Sequence, residues 1–152
     1  TQVVSEEQVP DPNGIAFSPD YKKLYVVSTG RGPGDAGPGG KSNVFVFDVT
    51  ADNRTANGRV FSEFMIDGVK CGPDGVRCDV DGNVWCSSNA GRAVGYSGVT
   101  VWTPQGKLIG RIRLPEVCGN LCFGGPKRNR LFMAASQSLY AVYVNTQGAG
   151  PG

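Results

Sequence analysis

The sequence predicts an all-β protein built from three four-stranded blades of a β-propeller. Three segments share one pattern, PNGIAFSPD at 12–20, PDGVRCDVD at 73–81 and GNLCFGGPK at 119–127. Each has Asn or Asp in second place, then a short apolar run and a turn rich in Gly, Pro or Asp. The chain has 23 Gly and 10 Pro in 152 residues and no helical periodicity. A repeated unit of about 45 residues with four strands is the size of a propeller blade.

The first blade is predicted over residues 9–66, with its innermost strand starting in the first repeat. Upstream, TQVVSEE at 1–7 is predicted to be the outer strand of a preceding blade. Three runs rich in Val, Phe and Tyr follow the innermost strand, as strands separated by turn residues do. They are KLYVVST (23–29), NVFVFDV (43–49) and RVFSEFMI (59–66).

The second and third blades are predicted over residues 70–114 and 118–144, followed by a tail at 145–152. The third blade has no fourth strand, which in many propellers comes from the other end of the chain. Two flanks of a three-bladed piece would expose strands and apolar surface. We therefore expect a companion polypeptide to supply the rest, or two copies to assemble head to tail; we favour the companion. In the second blade, the strands predicted after the innermost one are NVWCSS (83–88), GVTVWTP (98–104) and KLIGRIRL (107–114). In the third blade they are RLFMAAS (130–136) and SLYAVYV (138–144).

Composition excludes several classes of function. A net charge of +2 provides no field that would favour nucleic acid, and no apolar run is long enough to suggest a membrane partner. Five cysteines without a CxxC pair, in a chain without His, argue against a Cys/His zinc site. A single bridge between Cys71 and Cys118 stays open, and the compartment is undetermined.

The starts of the three innermost strands provide the candidate site. Because consecutive strands alternate in direction, Asn13, Asp74 and Asn120 are predicted on one face, close to the propeller axis. Their oxygen atoms suit a hard divalent cation. Asn-Gly and Asp-Gly are also the commonest turn dipeptides, and from spacing alone turn formation is the more frequent explanation.

Three longer segments carry a family resemblance. PNGIAFSPDYKKLYVVST, GPDGVRCDVDGNVWCSS and GNLCFGGPKRNRLFMAASQSLYAVYV resemble, in order, signatures of the gluconolactonase, regucalcin (senescence marker protein) and luciferin-regenerating-enzyme family. The similarity extends from about Val9 to Ala149. It implies a six-bladed β-propeller with one divalent metal in its channel, of which this chain is the C-terminal half. It also implies that Asn13 and Asp74 are metal ligands and that Asp74 is the candidate general base.

The resemblance implies metal-dependent hydrolysis of a sugar (aldono-)lactone. Calcium is the expected metal, with zinc, magnesium, manganese and ferrous iron as alternatives. A Glu from an EGP-like motif and a further Asn belong to the family ligand set, and this chain has no EGP segment. The chain therefore carries at most about half of the metal sphere. We expect it to be inactive until the N-terminal half completes it.

Loops on the same face supply candidate substrate-binding residues. In the second blade these are Ser88, Asn89, Arg92 and Tyr96, and in the third it is Asn120. Each could bind a sugar hydroxyl or lactone oxygen, although a solvated loop residue is the more common outcome for any one of them.

The glycine-rich loop at 30–42 ends like a phosphate-binding loop. That motif requires glycine at position 35, which is Asp35, and a helix after Ser42, where a strand follows instead. Nucleotide binding is therefore excluded. The loop is predicted to be either a lid over the pocket or an insertion without function.

Two other functions remain open from the sequence. A propeller with this pattern could be a non-catalytic scaffold that binds calcium or a partner protein, because fold does not fix function. It could also be a hydrolase of a non-sugar lactone or ester.

Overall fold

Strands form where the sequence places runs of Val, Ile, Phe, Tyr and Trp. The computed structural model describes residues 1–29, 41–90 and 93–150, and within them all regular structure is antiparallel β. No helix in the described residues is long and apolar enough to span a membrane. The strands are β1 Pro12–Phe17, β2 Lys23–Ser28, β3 Asn43–Val49, β4 Thr55–Ser62, β5 Met65–Ile66, β6 Val69–Lys70, β7 Gly72–Cys78, β8 Val84–Asn89, β9 Gly98–Trp102, β10 Leu108–Arg113, β11 Cys118–Gly124, β12 Arg130–Ala135 and β13 Leu139–Tyr143.

Three meandering sheets account for most of these strands. They have the orders β1-β2-β3-β4, β7-β8-β9-β10 and β11-β12-β13. The middle strands β2, β8 and β9 are buried at almost every position, on both faces, which explains their continuous apolar sequences. The all-β prediction is confirmed, with four, four and three strands in the three sheets.

The end of the first sheet differs from the prediction. We expected a fourth strand over 59–66, whereas β4 spans Thr55–Ser62 and a separate hairpin of β5 and β6 follows. Asp67 and Gly68 form the hairpin turn with φ values of 51° and 78°. Asp-Gly is a typical pair for a tight hairpin because both central residues need positive φ. The predicted strand therefore joined β4 to β5, which are separated at Glu63 and Phe64, where Phe64 has a φ of 56°.

The inner strands of the three sheets lie side by side in the order β1, β7, β11. One hydrophobic cluster, including Val27, Val76 and Trp102, joins the first two sheets, and a second, including Trp85 and Leu131, joins the second sheet to the third. The two tryptophans are buried, as expected for strand packing. The side-by-side arrangement brings the starts of three innermost strands together.

No strand was predicted in the tail after Val144. Its residues Gln147–Ala149 fold back against the end of β7 and the turn that follows it. Val80 N donates to Gln147 O at 2.9 Å, and Ala149 N donates to Cys78 O at 3.0 Å. Asp79 and Gly148 form an isolated β-bridge. These contacts connect the segment after the third sheet to the β7–β8 turn of the second sheet.

The N-terminal segment is a second difference. Residues 1–7 contain no strand; Gln8 N and Val9 N both donate to Ser5 O and close a turn. Fully buried Val9 anchors this turn against the third hydrophobic cluster. The preceding blade that this segment was predicted to join lies outside the described residues, so its assignment as an outer strand of that blade stays a prediction.

All five cysteines are free thiols in the structure. The bridge left open between Cys71 and Cys118 is not formed, because the two residues belong to different hydrophobic clusters. Cys78 and Cys86 are buried strand residues, as their positions in apolar runs suggested.

Candidate metal and substrate site

All three inner strands have a β-bulge near their start. The register of β1 against β2 shifts between Pro12 and Ile15, and that of β7 against β8 shifts between Pro73 and Val76. The register of β11 against β12 shifts between Cys118 and Asn120. An extra residue in a bulge redirects a side chain out of the regular alternation, and bulges are frequent beside active sites. Asn13, Asp74 and Asn120 are the polar residues at these bulges.

The Asn-Gly and Asp-Gly pairs are not turns. Gly14 and Gly75 lie inside β1 and β7, and neither has a positive φ. A Cβ on Gly14 would lie 2.0 Å from Asp74 O, and one on Gly75 would lie 2.6 Å from Asn120 Oδ1. The glycines are needed because neighbouring inner strands approach closely. The turn explanation left open by the sequence is therefore wrong for these pairs.

One cavity of about 450 Å³ runs along the inner strands. Asn13, Asp74 and Asn120 all line it. Because the three residues open their strands, they lie toward the same end of the cavity. The tail residues Gly148–Gly150, which bond beside Cys78 at the far end of β7, line it as well.

Asp74 carries a carboxylate with no partner among the described residues. No hydrogen bond or ion pair involves its side chain, and partial burial raises its pKa. The carboxylate faces the third sheet, since a Cβ on Gly119 would lie 3.7 Å from Asp74 Oδ2. A desolvated carboxylate of this kind is stabilised by a cation.

The donor atoms fit a hard divalent cation in part. Asn13 and Asn120 offer amide oxygens, and Asp74 offers carboxylate oxygens, which suit calcium or magnesium. Asn120 Oδ1 already accepts from Leu121 N at 2.9 Å but has a second lone pair. Nowhere in the described ranges do three His, Cys, Asp or Glu side chains come together. These three residues would thus supply only part of a coordination sphere.

Ser87 supports the site and was not singled out from the sequence. Its hydroxyl accepts from Gly75 N at 2.9 Å and donates to Gly119 O at 3.5 Å. It thereby links the bulge of β7 to that of β11. A serine inside an apolar strand gives no signal of this role, because the two backbone groups meet only in the folded chain.

Of the other predicted residues, the described ones, Ser88, Asn89 and Tyr96, do not line the cavity. Ser88 and Asn89 end β8, where they pair with Pro73 and Gly72. Ser88 is buried, and Asn89 Nδ2 donates to Gly72 O at 3.3 Å.

Tyr96 packs against the cluster between the first and second sheets, with the Arg111 guanidinium 5.9 Å from its ring centroid. Its ring is thereby engaged in packing. Arg92 lies outside the described residues, as does 30–40 of the predicted lid loop.

Several residues that line the cavity were missed. Arg77 is a charged residue in the middle of an apolar strand, which is a weak signal of function, and Tyr21 and Phe123 carry no signal. Gly148–Gly150 contribute only because the tail folds back, which no local pattern predicts.

Comparison with known proteins identifies the family. The profile of the SMP-30/gluconolactonase/LRE-like region matches residues 1–137. The chain belongs to the SMP-30/gluconolactonase/LRE-like family. This confirms the resemblance carried by the three sequence motifs.

Three relatives illustrate the match to this family. A gluconolactonase of Zymomonas mobilis is 31% identical over 143 residues, covering 90% of this chain and 36% of its own length. The solved gluconolactonase from Xanthomonas campestris has a TM-score of 0.62 at 29% identity, covering 87% and 37%. Regucalcin from Agrobacterium tumefaciens, described as a calcium-binding protein, has a TM-score of 0.66 at 23% identity, covering 92% and 47%. The chain thus spans less than half of each relative.

Proposed function

We propose that this chain supplies part of the metal site of a sugar-lactone hydrolase. The observation that carries the proposal is the Asp74 carboxylate, which has no partner among the described residues and lines one cavity with Asn13 and Asn120 in a family that includes gluconolactonases. The substrate class would be an aldonolactone, whose cyclic ester is opened by water.

The implied metal is a divalent cation, with calcium first. The all-oxygen donor set supports this choice, and a relative of similar fold is described as calcium-binding. Zinc, magnesium, manganese and ferrous iron are accommodated by the same oxygens. When bound, such a cation polarises the ester carbonyl and lowers the pKa of a coordinated water.

Asp74 is assigned two roles, metal ligand and proton acceptor. As a base it would take a proton from the attacking water, and burial favours this because it raises the pKa of the carboxyl. A bound cation acts in the opposite direction by stabilising the ionised form. Asn13 and Asn120 hold no titratable proton and would orient the ligand sphere. The ligand role of Asp74 is therefore the stronger of its two assignments.

The architecture we infer is the C-terminal half of a six-bladed β-propeller. Apolar side chains are exposed on both flanks, Ile15 and Phe17 on β1 and Leu139 and Tyr143 on β13. A companion chain with the N-terminal half, or a second copy, would cover them and add the missing ligands. On this proposal the chain is inactive by itself.

The proposal is tested by Asp74→Asn in the complete, two-part protein. We expect gluconolactone hydrolysis to fall at least about a hundredfold, since both ligand and base are removed. The matched control is Asp81→Asn, which makes the same change on an exposed turn residue. Hydrolysis is followed by acid release, with calcium added and with a chelator.

Near-normal turnover of Asp74→Asn would remove this residue from the mechanism. Calcium binding without hydrolysis of any lactone would instead favour the non-catalytic scaffold, and hydrolysis only of other esters would favour a non-sugar substrate.

A further inference from the structure

Arg77 is the one cation among the described residues that line the cavity. It lies on β7, three residues beyond Asp74, so the two backbone positions are about 10 Å apart along the strand. Both side chains line the same cavity. The cavity therefore has a carboxylate near one end and a guanidinium farther along.

The guanidinium of Arg77 is only partly satisfied by the protein. One terminal nitrogen donates to Val76 O at 2.7 Å, and Nε is buried without an acceptor among the described residues. No Asp or Glu of the described ranges forms an ion pair with it. Buried donors in native proteins are nearly always paired, so this guanidinium has a donor left for an acceptor that lies outside the described residues.

Oxyanions are the acceptors that match this group. The planar fork of a guanidinium binds the two oxygens of a carboxylate or phosphate together, and burial strengthens the contact. The charge balance of the cavity agrees, because a divalent cation beside Asp74 would leave the lining net positive. A neutral sugar lactone can accept single hydrogen bonds from this group, but it has no pair of charged oxygens to match the fork.

We propose that Arg77 binds a second, ionised acid group on the substrate, so that the preferred lactone carries a carboxylate or a phosphate in addition to its ester. This inference rests on the proposed lactone hydrolysis and names its substrate class. The ester would lie beside Asp74 and the acid group beside Arg77. Gly148–Gly150 line the same cavity.

The test compares matched ligands that differ in one acid group. D-glucaro-1,4-lactone is paired with neutral D-glucono-1,4-lactone, and glucose 6-phosphate with glucose. Binding to the complete, two-part protein is measured by calorimetry and by the NMR resonance of the Arg77 Nε–H. We expect the acid member of at least one pair to bind about tenfold or more tightly, as for a charge-assisted contact. A larger affinity ratio for the lactone pair would identify a carboxylate as the acid group, and a larger ratio for the glucose pair would identify a phosphate.

Two variants make the result specific to Arg77. Arg77→Gln should remove the preference for the acid member. Lys107→Gln, the same charge change on an exposed residue of the β9–β10 turn, should leave it intact. Should Arg77→Gln not fold, the wild-type Nε–H resonance decides, by shifting with the acid member and not with the neutral one.

Equal binding of both members in the wild type, or an unchanged preference in Arg77→Gln, would overturn this inference. Neither result bears on lactone hydrolysis, which is decided separately by Asp74→Asn. Hydrolysis with no acid preference would show that only the Arg77 assignment is wrong.

Discussion

At the scale of single residues, the site depends on the absence of a side chain at Gly14 and Gly75. Both allow neighbouring strands to approach so closely that no Cβ fits, and Asn13 and Asp74 reach the cavity as a result. The dipeptides Asn-Gly and Asp-Gly therefore serve strand packing here, although they are turn signals in most proteins.

Gly14→Ala is predicted to destabilise the fold, because its Cβ would lie 2.0 Å from the backbone oxygen of Asp74. Backbone cannot move aside as a flexible side chain does, so the cost should be about 1–3 kcal/mol or more. Urea denaturation measures it. Gly110→Ala is the control, since its nearest contact is at 3.8 Å. Equal stability of the two variants would contradict the close packing of β1 on β7.

At the scale of elements, Glu116 joins two connections of the third sheet. Its carboxylate accepts from Ser138 Oγ at 2.7 Å, Tyr140 Oη at 2.8 Å and Gln137 N at 2.7 Å. Glu116 precedes β11, whereas its three partners lie at the β12–β13 turn and the start of β13. The side chain thus fixes the turn relative to the inner strand that carries Asn120.

These bonds predict a pH-dependent contribution to stability. The hydrogen bond from Ser138, then those from Tyr140 and Gln137, lower the pKa of Glu116 below its ordinary value of 4.5. A group with a lowered folded pKa stabilises the fold above its unfolded pKa and loses that effect as pH falls through the folded pKa. Glu116→Gln should therefore lower the urea midpoint at pH 7, and the difference from wild type should shrink below about pH 4.5.

Glu6→Gln is the control for this pH series, because Glu6 is exposed on the N-terminal turn. Its midpoint should follow the wild type at every pH. A difference between Glu116→Gln and wild type that stays constant from pH 7 to pH 3 would show that the carboxylate charge is not what the three donors stabilise.

At the scale of the whole molecule, the tail holds the second and third sheets together. It bonds to Cys78 and Val80 of the second sheet, and Gly148 N donates to Arg128 O of the third at 2.9 Å. Gly148 also packs so closely on Phe123 that a Cβ would lie 2.5 Å from that residue's own. The segment lines the cavity as a consequence.

Truncation after Asn145 should therefore remove the hydrogen bonds that hold the β7–β8 turn of the second sheet. The amide of Val80 loses its acceptor, Gln147 O, and should exchange with solvent much faster than in the intact chain. Hydrogen exchange followed by NMR measures this. The amide of Val49, bonded to Lys22 O in the first sheet, should keep its protection. Unchanged protection at Val80 would contradict the described path of the tail.

Sequence reasoning recovered most strands because their signal is local. The runs at 43–49 and 23–29 alternate or continue in apolar residues, and both became strands within a residue of the predicted ends. It failed at 59–66, where the apolar run continues but Glu63 and Phe64 separate β4 from β5. Strand pairing is a long-range property that such patterns do not contain.

By itself, the sequence determined the all-β class, the three repeats and the residues Asn13, Asp74 and Asn120 at the starts of the inner strands, since repeat spacing and strand periodicity are local. Only the tertiary structure decided that these residues share a cavity with Arg77 and the tail. The reason is physical. Bulge geometry, close approach of glycine backbones and the lack of an ion-pair partner for Asp74 and Arg77 among the described residues depend on groups that are far apart in the chain and meet only when the sheets pack.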